Sequence, residues 1–122
     1  MNTRYQLLIF DWDGTLMDSV ARIVSCMQQS ARDCRLPLPV DAAVRDIIGL
    51  SLRVAVPHLF PGLTAEALDH FIDRYREHYL YLDPTPTPLF PAPLLPILDQ
   101  WGFAYRVRDT EAGNACIAIC HV

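Results

Sequence analysis

Leu7, Leu8, Ile9 and Phe10 form a continuous apolar run that stops abruptly at Asp11. A short uninterrupted apolar run fits a strand buried on both faces, of the kind a parallel α/β sheet supplies. Asp13, Gly14 and Thr15 follow within a few residues. A carboxylate just past the carboxyl end of such a strand sits where open α/β sheets bind ligands. Gly14 has no Cβ, so the chain can turn tightly there with its backbone close to a ligand.

Two carboxylates separated by one residue suit a hard cation. Magnesium prefers oxygen ligands and commonly takes one or two carboxylates plus substrate phosphate. A carboxylate is also a nucleophile that can form an aspartyl-phosphate. A second acid can protonate the leaving oxygen and later activate water. An isolated Asp-x-Asp more often just flanks a turn, with Asp18 capping a helix. Here the pair follows an apolar strand, is continued by Gly-Thr and ends in Asp18-Ser19. An EF-hand loop does not fit, because it needs glycine at its sixth position and Gly14 is fourth from Asp11.

The stretch DWDGTLMDS, residues 11–19, resembles motif I of the haloacid dehalogenase-like (HAD) hydrolase superfamily, DxDGT-[LV]-x-DS. The resemblance is to the phosphoglycolate phosphatase-like members with a helical cap. It implies an α/β fold: a Rossmannoid core with an all-α cap inserted after motif I, which in the family closes over the site and helps select the substrate. It implies Asp11 as nucleophile and magnesium ligand. It implies Asp13 as general acid/base, with its main-chain carbonyl also on magnesium. The dehalogenase branch of the family lacks the second acid, so Asp13 points to phosphate chemistry.

Ser19 to Leu82 reads as about four helices. Asp18 or Ser19 is a plausible N-cap. Val20, Ile23, Val24, Met27, Ala31 and Cys34 recur at helical spacing, and Pro37 and Pro39 stop that helix. Asp41 is expected to cap a short second helix carrying Val44, Ile47 and Ile48, with Gly49 as its terminal glycine. Ser51 begins a third, disturbed at Pro57. Pro61-Gly62 is a turn. Thr64 caps a long fourth helix, with Leu68, Phe71, Ile72, Tyr75, Tyr79 and Leu82 as its apolar stripe and Glu66, His70, Asp73 and Glu77 opposite. Histidine among carboxylates on that outer face reads as a solvated surface rather than a metal site. His58, His70 and His78 belong to surface or helix packing. Gly49-Leu50-Ser51 resembles the family's cap loop that faces the site; termination of the helix accounts for Gly49 equally well.

The chain thus divides into a core strand with motif I (1–18), a helical cap (19–82), and a linker with a core remnant (83–122). Six of the ten prolines fall between Asp83 and Pro96, and closely spaced prolines favour stiff, extended backbone. Leu94, Leu95, Ile97, Leu98 and Trp101 suggest a helix ending at Gly102.

Beyond Gly102 the resemblance changes character. No strand ending in a Thr-Gly-type motif II is evident, because Arg106 and Arg108 interrupt the stretch before Thr110. Val107-Arg108-Asp109-Thr110 instead resembles the motif IV segment preceding the family's metal-binding acid, with Arg108 where glycine is expected. That resemblance makes Asp109 a third metal ligand, at the end of a short strand near Tyr105–Val107 placed next to Leu7–Phe10 and parallel to it. Residues 116–120 are a further candidate strand. All ten basic residues are arginine, so no lysine fills the family's motif III role. The parts carrying motifs II and III are missing from this stretch; an internal deletion, a frameshift or an unrelated tail would each account for that.

The formal charge of −4 and the absence of a basic cluster give no footprint for nucleic acid. No apolar run has membrane-spanning length, and no signal peptide is evident at the N-terminus, so the cytoplasm is the expected location and no membrane partner is expected. The four cysteines, Cys26, Cys34, Cys116 and Cys120, form no Cys-x-x-Cys pair, and Cys26 reads as a small buried hydrophobe. The function implied is magnesium-dependent hydrolysis of a small phosphorylated metabolite through an aspartyl-phosphate, impaired in this chain. The alternatives are a phosphomutase of the same superfamily and a non-catalytic remnant or helical binding module.

Overall fold

The structure is a computed structural model. It describes residues 7–11, 13–90, 103–109 and 115–121; Trp12, Thr110 and the expected helix over 94–101 lie outside the described residues. The chain forms two compact units, one from Met1–Asp18 with Pro88–Val122, the other from Ser19–Thr87.

The first unit holds strands β1 (Leu7–Asp11), β2 (Phe103–Asp109) and β3 (Ala115–His121). Their order is β1-β3-β2. β3 pairs antiparallel with both neighbours, matching Asp11 and Arg108 to Cys116 from either side. β1 and β2 therefore run parallel to each other with β3 between them. This corrects the expectation of two adjacent parallel strands. Only residues 110–114 join β2 to β3. A parallel crossover needs a dozen or more residues, whereas an antiparallel return does not. Arg106 and Arg108 do not break the strand. The sequence alternates Phe103, Tyr105, Val107 with Ala104, Arg106, Arg108, which is the period of a strand with two unlike faces.

The second unit contains α1 (Val20–Asp33), α2 (Asp41–Asp46), α3 (Leu52–Leu59) and α4 (Ala65–Glu77), the last running into a π turn over His78–Leu82. Its core joins Ile23, Val24, Cys26, Met27 and Ala31 of α1 to Val44, Ile47, Ala55, Val56, Phe60, Phe71 and Tyr75. Phe60 and Phe71 meet with ring centroids 5.3 Å apart, tilted by 50°. Burial drives the Cys26 thiol, with the nearby Asp83 charge adding to it, up to about 12.

The helix ends show local chemistry. Thr64 Oγ1 accepts from the Ala67 amide at 3.1 Å, as an N-cap side chain should. Ser19 is the N-cap of α1 but its side chain makes no capping bond. Val40, not Asp41, precedes α2. The Asp41 carboxylate accepts from Gln28 of α1 at 3.0 Å, so it ties two helices together instead. α1 stops before the prolines, at a Schellman arrangement: Leu36 N donates to Ala31 O (2.8 Å) and Arg35 N to Arg32 O (3.1 Å), with Arg35 left-handed at φ 56°. That place usually goes to glycine. α3 continues through Pro57 for two more residues.

Leu82 leaves the apolar stripe and is 53% exposed. The π turn bonds i to i+5 and rotates less per residue than an α-helix. Leu82 therefore lags behind the stripe, and Asp83 takes up the position facing α1, with Ser25 Oγ donating to its Oδ2 at 2.5 Å.

Candidate active site

Asp11 is the last residue of β1. The apolar run fixes it there, because pairing of Leu7 to Phe10 with β3 continues up to the row of Asp11 and Cys116. Its carboxylate is exposed and accepts a 3.3 Å hydrogen bond from the Thr15 hydroxyl. The chain then turns through Gly14, which is left-handed at φ 74°. The Gly14 amide donates to Met17 O at 2.9 Å, closing the turn. Asp13 enters this turn half-buried, and its backbone bridges to Met17. Glycine is needed here because an L side chain at that φ is strained.

The turn is anchored by a returning segment of the same unit. Met17 bridges to Leu89 in antiparallel fashion. Asp18 N donates to Pro88 O at 2.7 Å, and Phe90 N to Leu16 O at 2.9 Å. Residues 88–90 thus lie beside motif I. Proline tolerates an edge position because it needs no ladder donor. Leu16 is 8% exposed.

The backbone of Asp109 ends β2, paired with Ala115, one step beyond the row that holds Asp11, Cys116 and Arg108. Asp11 and Asp109 hence occupy the same end of the sheet. With one strand between them, their backbones are about 10 Å apart across the sheet. The Asp109 side chain lies outside the described residues. Among the described residues, no group of three His, Cys, Asp or Glu side chains could hold a metal ion. The donors that Asp11 and Asp13 offer are all oxygen, and one carboxylate is open to solvent. That fits magnesium, which retains several waters and needs few protein ligands.

Thr15, which sequence reading left without a role, lies against the candidate site through its hydrogen bond to Asp11. Its proximity to Asp11 follows from the tight turn at Gly14, which brings a hydroxyl four positions on back to the carboxylate. His58 and His70 are exposed, in keeping with a surface role. His78 instead packs its Nε2 at 2.7 Å from Asp33 Oδ2, within the helical unit.

A strand ending in one acid, a glycine turn carrying a second, and an all-helical unit inserted immediately afterwards are the arrangement expected of an incomplete Rossmannoid core with a helical cap. Comparison with known proteins agrees. Residues 8–88 match the family of haloacid dehalogenase-like hydrolases, and the chain belongs to that family. It is 35% identical to a phosphoglycolate phosphatase from Vibrio cholerae, over 59% of this chain and 36% of the relative. It is 31% identical to an N-acetylmuramic acid 6-phosphate phosphatase from Pseudomonas aeruginosa, over 62% of this chain and 35% of the relative. A crystal structure of a haloacid dehalogenase-like hydrolase from Bacteroides fragilis superimposes with a TM-score of 0.66 at 27% identity, covering 75% of this chain and 44% of that one. The fold is accordingly an incomplete HAD-like core with an all-α cap. The chain spans about a third of the length of these curated relatives.

Proposed function

We propose that this chain carries the nucleophile-bearing part of a magnesium-dependent phosphomonoester hydrolase acting on a small phosphorylated metabolite, with phosphoglycolate as the first candidate. The observation that carries the reading is the exposed Asp11 carboxylate at the end of β1, followed by Asp13 in the glycine turn. The two relatives named above are phosphatases of phosphorylated small molecules, which supports the substrate class.

In this reading an Asp11 carboxylate oxygen attacks phosphorus, forming an acyl-phosphate bond while the P–O bond to the substrate carbon skeleton breaks. Asp13, protonated, gives its proton to the departing oxygen and then takes one from water. The resulting hydroxide attacks the same phosphorus, releasing inorganic phosphate and restoring the Asp11 carboxylate. The Thr15 hydroxyl, by donating to Asp11 Oδ2, orients the carboxylate. Asp11, the Asp13 main-chain carbonyl and Asp109 would hold magnesium, which when bound offsets the charge of the phosphoryl group. The chain as it stands offers no lysine and no evident motif II hydroxyl, and each lost donor of that kind commonly costs ~10²–10³ in rate. Turnover by this chain alone is therefore slow.

Phosphate release from phosphoglycolate and p-nitrophenyl phosphate, with and without magnesium, tests this. Weak, magnesium-dependent release that disappears in Asp11→Asn supports the reading. No release above the uncatalysed rate at any magnesium concentration favours the non-catalytic alternative, for which the self-contained core of the helical unit is the supporting observation.

A further inference from the structure

β3 aligns residues that lie far apart in the sequence. At Cys116 it pairs with Asp11 of β1 on one side and with Arg108 of β2 on the other. Residues paired directly across strands share a face of the sheet, so Asp11, Cys116 and Arg108 form one row on one face. Two strand spacings separate the backbones of Asp11 and Arg108, about 10 Å, and the position between them belongs to a small residue. The rows Phe10, Ile117, Val107 and Leu8, Ile119, Tyr105 fall on the opposite face and are aliphatic or aromatic throughout. The register is therefore specified, because a slip of one residue would carry Arg106 and Arg108 to that apolar face.

Positive charge is scarce in the unit that carries Asp11. Of the ten arginines, seven fall within the helical unit, residues 19–87. Arg4 precedes β1 in the sequence, whereas Asp11 ends that strand. Arg106 and Arg108 are both on β2. Arg106 stands in the row of Ile9 and Ala118, two residues or about 7 Å back along the strand. Arg108 is the one in the row of Asp11. Phosphoryl transfer spreads charge over three oxygens. A guanidinium matches such oxygens with two parallel N–H···O bonds, and it stays charged throughout the working pH range of proteins.

We propose that Arg108 supplies the fixed positive charge of the phosphoryl site, at the far end of the row that Asp11 begins. The inference rests on the phosphatase reading and deepens it: a strand arginine takes up the charge for which the chain has no lysine. Arg108 binds phosphoryl oxygens while Asp11 attacks phosphorus; no bond to Arg108 forms or breaks, and it gives up no proton. Charged residues on an outer strand also deter the addition of further strands, but that role leaves phosphate affinity untouched.

Inorganic phosphate titrated into the full chain without magnesium, followed by phosphorus NMR, gives a dissociation constant that needs no turnover. Arg108→Gln should weaken binding by about tenfold or more, the loss of a charge-assisted hydrogen bond. Arg108→Lys should fall between, because it keeps the charge and loses the fork. Arg106→Ala should cost less than about fivefold, as an exposed charge outside hydrogen-bond range does. Asp11→Asn should tighten binding several-fold, since its carboxylate repels the dianion. No saturable binding, an unchanged constant in Arg108→Gln, equal losses in Arg106→Ala and Arg108→Gln, or an unchanged constant in Asp11→Asn would each overturn the proposal. Should circular dichroism show Arg108→Gln unfolded, Arg108→Lys decides, and a constant equal to that of the unaltered chain overturns it. Phosphate-release assays keep two failures apart. Release indifferent to Asp11→Asn sinks the phosphatase reading and this assignment with it. Asp11-dependent release beside phosphate binding indifferent to Arg108→Gln sinks the assignment of Arg108 alone.

Discussion

The Thr15 hydroxyl reaches back four residues to the Asp11 carboxylate, 3.3 Å from its Oδ2. The contact exists because Gly14 adopts φ 74° and the Gly14 amide closes the turn on Met17. It gives the strand-end acid a neutral donor that orients it without cancelling its charge. Whatever phosphatase turnover this chain has should therefore depend on Asp11 absolutely. Asp11→Asn keeps the shape and removes the nucleophilic charge. Phosphate release should fall to background; turnover persisting in a clean Asp11→Asn preparation would sink the covalent mechanism.

Asp109 ends a strand that runs parallel to β1, on the same end of the sheet as Asp11. If both carboxylates serve one cation, magnesium should raise the melting temperature, because a ligand bound to the folded state alone stabilises it by mass action. Asp109→Ala should reduce that rise, and Asp11→Asn should reduce it further. An equal magnesium response in the unaltered chain and in Asp109→Ala would remove Asp109 from the metal set.

Phe71 is fully buried and meets Phe60 at 5.3 Å. Phe71→Ala should destabilise the helical unit by about 3–5 kcal/mol, the range for a large aromatic deleted from a packed core. Urea unfolding followed by helix ellipticity would measure it. A loss below about 1 kcal/mol would mean that the α1–α4 core collapses around the cavity far more readily than packed interiors do.

Arg35 carries a left-handed φ of 56° at the end of α1. Glycine takes that conformation without its Cβ penalty. Arg35→Gly should stabilise the chain by about 0.5–1 kcal/mol, the strain relief being partly offset by glycine's greater freedom when unfolded. A lower melting temperature for Arg35→Gly would show that the arginine side chain contributes more than the strain it imposes.

Acid should loosen the seam between α1 and the end of α4. The His78 hydrogen bond first, and then Arg74, hold the Asp33 carboxyl below its ordinary 3.8. Burial pushes Asp83 up, but bonds from Ser25 and Thr85 and the Arg22 charge outweigh it and hold that carboxyl low as well. Groups with a depressed folded pKa contribute stability that is complete above their unfolded pKa and is lost as pH falls through the folded one. Stability should therefore decline below about pH 4. Asp33→Asn with Asp83→Asn should flatten that decline. An unchanged acid limb in the double variant would place the responsible carboxylates elsewhere.

Much of this molecule was legible in its residues because the physics involved is local. The run from Leu7 to Phe10 sets a strand, and the acid pair with Gly14 sets the turn and the family. The 3.6-residue spacing of Ile23, Met27, Phe71 and Tyr75 sets helices and their buried faces, and Thr64 sets a helix start. Each depends on neighbours a few positions away. Tertiary structure decided what depends on partners distant in sequence. It placed β3 between β1 and β2, and only an antiparallel return fits the five residues that join β2 to β3. It turned Asp41 from a cap into a partner for Gln28, and widened the last turn of α4 so that Asp83 rather than Leu82 faces Ser25. A carboxylate moves to where a donor waits and an exposed leucine loses little, a balance settled only when the two helices meet.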